Sequence, residues 1–210
     1  MVPSEPLRLQ VWSDYVCPFC YLELPVLERV AADFGERLQV EWRAFELRPE
    51  PAPTLDPGGE YLRSTWARAV YPMARERGMR LRLPPVQPRS RRAFEAALYA
   101  GSQQRFDAMH EGLFRAFFAD GRDLADLDVL ADVGAQAGLD PDAVREAVES
   151  GRFTSRVQEE QRQAHELGVG GVPALLAVPP PQSGAKALLV TGAQPEEVVR
   201  QMIERTLEAA

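Results

Sequence analysis

The sequence predicts an α/β fold in which a β-α-β unit near the start and a β-β-α unit near the end share one sheet, with a large all-helical block between them. Three observations carry that prediction. Two segments of alternating apolar and polar residues flank one stretch of helical spacing within residues 7–45. About a hundred residues then show helical spacing alone, and short apolar runs return only after Gly168.

Each element has its own signal. Leu7, Leu9 and Val11 alternate with Arg8, Gln10 and Trp12, as a first strand would. From Pro18, the residues Leu24, Leu27, Val30, Ala31 and Phe34 recur at helical spacing until Gly35; Pro25 should kink this helix without ending it. Leu38, Val40, Trp42 and Ala44 share one face of a second strand over 38–45. The proline- and glycine-rich RPEPAPTLDPGG, 48–59, reads as a linker. Beyond it, Phe94, Ala97, Leu98 and Gly101 form one helical stripe, and Phe106, Met109, His110, Leu113, Phe114 and Phe117 form another. Asp126 is an N-cap for a helix ending at Gly138, Asp140-Pro141 an N-cap with proline at N1, and Gly151 and Gly168 are helix stops. Two short strands, Ala174–Val178 and Ala185–Val190, surround the turn PPPQSG, and Glu196–Leu207 closes as a helix.

Composition narrows the function. A chain of 210 residues, 45% hydrophobic and 26% charged, can bury a core without disulfide staples. A net charge of −7 opposes nucleic acid as the main partner. No apolar run reaches the roughly 20 residues of a membrane span. MVPSEPLRLQVW lacks the basic-then-apolar pattern of a secretory signal, so a cytoplasmic location is expected.

In such a reducing compartment the two cysteines, Cys17 and Cys20, are better explained as a working pair than as a structural bridge. Where a strand ends and a helix begins, the first sulfur meets unpaired N–H groups and the positive end of the helix dipole, which favour a thiolate. Cys17 is therefore the expected nucleophile, exposed enough to attack a disulfide, and Cys20, one turn inside, resolves the mixed disulfide. Pro18 suits helix position N1, and Pro18-Phe19 between the thiols should tune the redox couple. A structural zinc site needs four protein ligands, and His110 and His165 lie far from the cysteines and from each other, so no metal is expected and each histidine reads as an ordinary helical side chain. The stretch Gly168-Val169-Gly170-Gly171-Val172-Pro173 reads, on its own, as a flexible turn whose X-Pro bond would favour trans.

Four segments in order, Asp14-Tyr15-Val16-Cys17-Pro18-Phe19-Cys20-Tyr21, Phe45-Glu46-Leu47-Arg48-Pro49, Gly168 to Pro173 and Gly192-Ala193-Gln194-Pro195, resemble the DsbA-like thioredoxin superfamily, in particular its FrnE-like cytoplasmic branch. The resemblance implies a thioredoxin-like fold with a large helical insertion: residues 1–57 and 167–210 as the thioredoxin-like domain and 58–166 as the insertion. It also implies that Cys17 is the nucleophile and that Pro173 is cis, leaving the backbone beside Val172 and Pro173 to pair with an extended substrate as an added strand would. Thiol–disulfide exchange without a tightly bound cofactor follows, with disulfide- or thiol-containing proteins or small molecules as substrates and glutathione as a candidate thiol partner. The chain departs from the family in having Phe19 where tryptophan is frequent, and Arg89-Ser90-Arg91-Arg92 where an Asn-Thr pair is common.

Two rivals remain in the sequence. A glutathione-dependent isomerase or transferase of the kappa and 2-hydroxychromene-2-carboxylate class shares the fold, but usually carries serine at the position of Cys17. A non-enzymatic adaptor would use the helical block. The basic run Arg75, Arg77, Arg80, Arg82, Arg89, Arg91, Arg92 is expected to be a solvated face, with attraction of carboxylates as the alternative.

Overall fold

The computed structural model describes residues 5–209. Residues 1–4 and 210, at which the expected thioredoxin-like domain begins and ends, lie outside them. Four strands form one mixed sheet in the order β2-β1-β3-β4. Strand β1 (Leu7–Ser13) pairs in parallel with β2 (Leu38–Ala44), Leu7 opposite Leu38 and Ser13 opposite Ala44. On its other side β1 runs antiparallel to β3 (Ala174–Val178), which runs antiparallel to β4 (Leu188–Thr191). A parallel neighbour requires a crossover, and α1 (Pro18–Phe34) supplies it.

One face of the sheet is built as the alternation predicts. Leu7, Leu9 and Val11 meet Val26, Leu27 and Val30 of α1 and Val199, Met202 and Ile203 of the last helix, α9 (Glu196–Glu208). The other face departs from expectation. Trp12, assigned by alternation to a polar face, is buried with Phe45, Ala164, Val169, Ala174 and Leu176. The cause is helix α8 (Thr154–Glu166), which crosses this end of the sheet. Its Glu160 accepts a hydrogen bond from the Trp12 indole at its carbonyl (3.1 Å) and one from the Ala44 amide at its carboxylate (2.8 Å). Tertiary cover thus overrides the two-sided pattern.

Helices fill the chain between β2 and β3. A first helical stretch comprises α2 (Glu60–Thr65), a π-helical turn (Trp66–Val70) and α3 (Tyr71–Glu76). There follow α4 (Arg91–Ser102), α5 (Phe106–Phe118), α6 (Leu127–Gln136) and α7 (Pro141–Glu149) before α8. Their core is the aromatic stripe of α5: Phe114, Phe117 and Phe118 are fully buried, each contributing about 1.5–3 kcal/mol against a net domain stability of only about 5–15. Asp126 and Asp140 cap α6 and α7 by accepting from the amides of Asp128 and Asp142, each at 2.9 Å. Gly151 and Gly168 end α7 and α8 with φ of +63° and +77°. A β-carbon on Gly134 would stand 2.6 Å from Val144 Cγ2, so α6 and α7 approach this closely only because that residue is glycine.

As the sequence reading expects, Pro25 does not end α1, which continues through it from Pro18 to Phe34. One boundary differs. Strand β4 begins at Leu188 rather than Ala185, because the Ala185 amide is turned toward Ser183 Oγ (3.2 Å) after Gly184 at φ +69°.

Candidate active site

Helix α1 starts where the thiols stand. Cys17 is its N-cap, with extended dihedrals of φ −92° and ψ 113°, and Pro18 occupies the first turn. The Cys17 carbonyl accepts from the amides of Cys20 (3.1 Å) and Tyr21 (3.2 Å), so the second thiol is folded back one turn above the first. Both are free thiols, one helical turn apart. Burial pushes the Cys20 thiol well up; the neighbouring Cys17 pushes it further, against weaker opposition from the Asp14 amide and the Ser13 hydroxyl.

Cys17 was expected to be exposed, and it is not: only 3% of it is accessible. The loop before β3 folds over it. The Cys17 thiol donates to the carbonyl of Val172 at 3.5 Å, and the Val172–Pro173 peptide is cis. The Pro173 carbonyl accepts in turn from the Gly192 amide at 2.7 Å, which joins this loop to the Gly192-Ala193-Gln194-Pro195 turn. Pro18, Phe19 and Val172 are half-buried around the thiol. The structure therefore brings Cys17, Cys20, Pro18, Phe19, Val172 and Pro173 together, across 155 residues of chain.

Several residues here were not foreseen as site residues. Asp14 is fully buried three positions before Cys17 and accepts from the amides of Leu47 (2.7 Å) and Val16 (3.2 Å). Burial raises its carboxyl to about 6 despite those bonds and one from Ser90. Its signal was an acid placed between a buried strand and a thiol. Tyr15, the next residue, bonds through its hydroxyl to His110 Nδ1 of α5 (2.9 Å), and Phe94 and Phe114 enclose its ring. Burial lowers His110 to about 3, so the imidazole is neutral at any ordinary pH. It is a core contact that ties the helical block to the dithiol segment. His165 is exposed on α8, and its ring is hydrogen-bonded to Gln161 (3.3 Å). Among the described residues no cluster of His, Cys, Asp and Glu has the makeup to hold a metal.

The arginine run is not uniformly solvated. Arg75, Arg80 and Arg82 are exposed, but Arg91 pairs with buried Glu46 (2.6 Å) and Arg89 donates to the carbonyls of Arg48 and Ala52 (2.9 Å each). These arginines hold down the irregular segment after β2. They also line a groove of about 560 Å³ whose walls carry Arg89, Arg91 and Arg92 against Glu46, Glu50 and Glu95. Three arginines there face three glutamates, so the charges on the walls balance. Arg77 is more buried still, against Glu23.

The comparisons with known proteins agree with this geometry. Residues 8–204 match the model of the DSBA-like thioredoxin domain. YwbO of Bacillus subtilis (strain 168), an uncharacterized protein, is 34% identical over 161 residues, which are 75% of this chain and 78% of YwbO. Among solved structures, the probable DsbA oxidoreductase SCO1869 from Streptomyces coelicolor superposes with a TM-score of 0.77 at 26% identity, over 96% of this chain and 90% of that one. The cytosolic disulfide reductase DsbM from Pseudomonas aeruginosa, solved also with GSH, shares the fold, with a TM-score of 0.72 at 21% identity over 97% of this chain and 100% of its own. With the paired thiols at the mouth of α1 and the match running from β1 into α9, the chain belongs to the DSBA-like thioredoxin domain family.

Proposed function

We propose that this protein catalyses thiol–disulfide exchange through Cys17 and Cys20. The observation that carries the reading is the placement of Cys17 at the α1 N-cap, with Cys20 one turn above it and its thiol donating to the Val172 carbonyl. The Cys17 thiolate attacks one sulfur of a substrate disulfide; that S–S bond breaks, and the second substrate sulfur leaves as a thiolate and takes a proton from water. Cys20 then loses its proton and attacks Cys17 Sγ, which expels the first substrate sulfur. The substrate gains two electrons as two thiols, and the protein holds a Cys17–Cys20 disulfide. Run in reverse, the same steps oxidise a dithiol. The electrons stay on sulfur throughout, so the cycle needs no metal or prosthetic group.

Pro18 and Phe19, between the thiols, set the redox poise in this reading. Val172 and Pro173 receive the substrate backbone, in the manner of strand addition. Because Cys17 is nearly covered, attack requires the rim of Phe19 and Val172 to part. The FrnE-like branch, a cytoplasmic setting and glutathione as the regenerating thiol fit the C-P-F-C, G-V-P and G-A-Q-P segments and the fold shared with DsbM.

Trapping tests the reading. Cys20→Ser should accumulate a mixed disulfide between Cys17 and a model disulfide such as oxidised glutathione, visible by mass spectrometry, whereas wild type should release it. A Cys17→Ser protein that isomerises a hydroxychromene carboxylate with glutathione at the wild-type rate would instead place the chain with the isomerases.

A further inference from the structure

One buried ion pair lies outside the dithiol and is linked to it from both ends. Glu23, on α1 six residues after Cys17, is 1% exposed, and a carboxylate so placed is costly unless every oxygen is served. Arg77, at the end of α3, donates to it from Nη1 at 2.7 Å, and the Gln194 amide approaches both of its oxygens, at 3.1 and 3.2 Å. The same guanidinium also donates from Nη1 to the Leu22 carbonyl (2.6 Å) and from Nη2 to the Gln194 carbonyl (2.7 Å). One planar fork thus grips α1 and the 192–195 turn together. A lysine ammonium, a point charge on a flexible stem, cannot span those acceptors in the same way.

The turn that Arg77 grips is itself closed. Gly192 takes φ +82°, and Gln194 Nε2 donates to the carbonyls of Thr191 (2.8 Å) and Gly192 (3.1 Å). Its far end holds the loop over the thiol, because the Gly192 amide donates to Pro173 and Val172 receives Cys17. The hydrogen bonds therefore form a ring: Cys17, Val172–Pro173, Gly192–Gln194, Arg77 with Glu23, and back through α1 to Cys17.

We infer that Arg77 is a positioning residue for the redox centre: by clamping the 192–195 turn to α1 it holds the Val172 carbonyl over Cys17, and so gives the helical block, from which it comes, control over access to the nucleophile. The inference rests on the thiol-exchange reading only for its consequence in catalysis; the clamp itself is a statement about geometry. It also accounts for one arginine of the basic run that charge alone would place in solvent.

The test uses Arg77→Lys and, so that no buried charge is left alone, the double variant Arg77→Met/Glu23→Gln. The clamp predicts that the Gly192 amide, read by hydrogen exchange, loses protection at least tenfold in both variants. It further predicts that iodoacetamide labels Cys17, located by mass spectrometry, at least threefold faster, and that the reduction potential against glutathione moves. A lower melting temperature with Gly192 exchange and Cys17 labelling unchanged would make Arg77 a stability residue and overturn the inference. Should neither variant fold, wild type decides through the Gln194 amide, which donates to Glu23 outside the β3–β4 ladder: exchange as free as in an exposed turn refutes the clamp, and protection at least tenfold above that supports it. These readouts need no turnover, so a wild-type protein that fails to cycle its thiols would defeat the exchange reading and leave the clamp standing.

Discussion

The thiol of Cys17 lies 3.5 Å from the carbonyl oxygen of Val172, 155 residues further along the chain, and this contact joins the two ends of the sequence at one sulfur. Cys17 packs in the buried cluster that holds Tyr15 and Cys20, and the edge of the Val172 loop covers its sulfur. The first prediction follows. Val172→Gly, which removes the half-buried side chain but keeps the carbonyl, should speed iodoacetamide labelling of Cys17 severalfold and leave Cys20 unlabelled in the folded protein. Equal labelling of both would mean global opening.

Asp14 makes stability depend on pH in an unusual direction. Its carboxyl titrates near 6 in the fold and at 3.8 as an ordinary aspartate, so its contribution is fully present below pH 3.8 and is lost as pH rises through 6. A shift of that size corresponds to roughly 1–3 kcal/mol. Asp14→Asn cannot titrate, so urea denaturation of the two proteins should show the variant gaining on wild type by about that amount between pH 4 and 7. A constant difference across that range would contradict the burial argument.

The Tyr15–His110 bond should be costly to break. Tyr15→Phe leaves His110 Nδ1 without its partner in an apolar setting, a loss of about 1–3 kcal/mol by denaturant titration. His110, lowered to about 3, also opposes Asp14: the stability it contributes is present above pH 6.5 and is lost as pH falls toward 3. In His110→Phe, acid unfolding should therefore become shallower over that interval.

Two helical glycines should respond with opposite signs. Gly134→Ala drives a methyl to within 2.6 Å of Val144, so overpacking of about 1–3 kcal/mol outweighs the ~1 kcal/mol of helix propensity regained. Gly101→Ala meets only Phe106, at 3.7 Å, and should gain up to about 1 kcal/mol. Melting midpoints that fall for the first and rise for the second would support the close α6–α7 packing.

What the sequence revealed was what short-range chemistry decides. The N-cap role of Cys17, the caps Asp126 and Asp140 and the stripe of α5 depend on neighbours within a turn or two, and each lies where its spacing placed it. Trp12 was misplaced because its cover, Glu160, is 148 residues away, and no alternation within β1 reports a helix arriving from the far end of the insertion. Arg77 looked like one charge in a basic run because Glu23 and Gln194 lie 54 and 117 residues from it. The cover over Cys17 was illegible for the same reason: a C-x-x-C shows where a helix begins, not what leans over its mouth.

The most direct measurement is a count of free thiols in wild-type protein equilibrated across a series of reduced-to-oxidised glutathione ratios. Thiol exchange through the pair predicts that Cys17 and Cys20 disappear together in a single two-electron transition, leaving an internal disulfide that dithiothreitol restores to two thiols. Two thiols persisting at the oxidising end, or a lone glutathione adduct on one cysteine with the other still free, would contradict it.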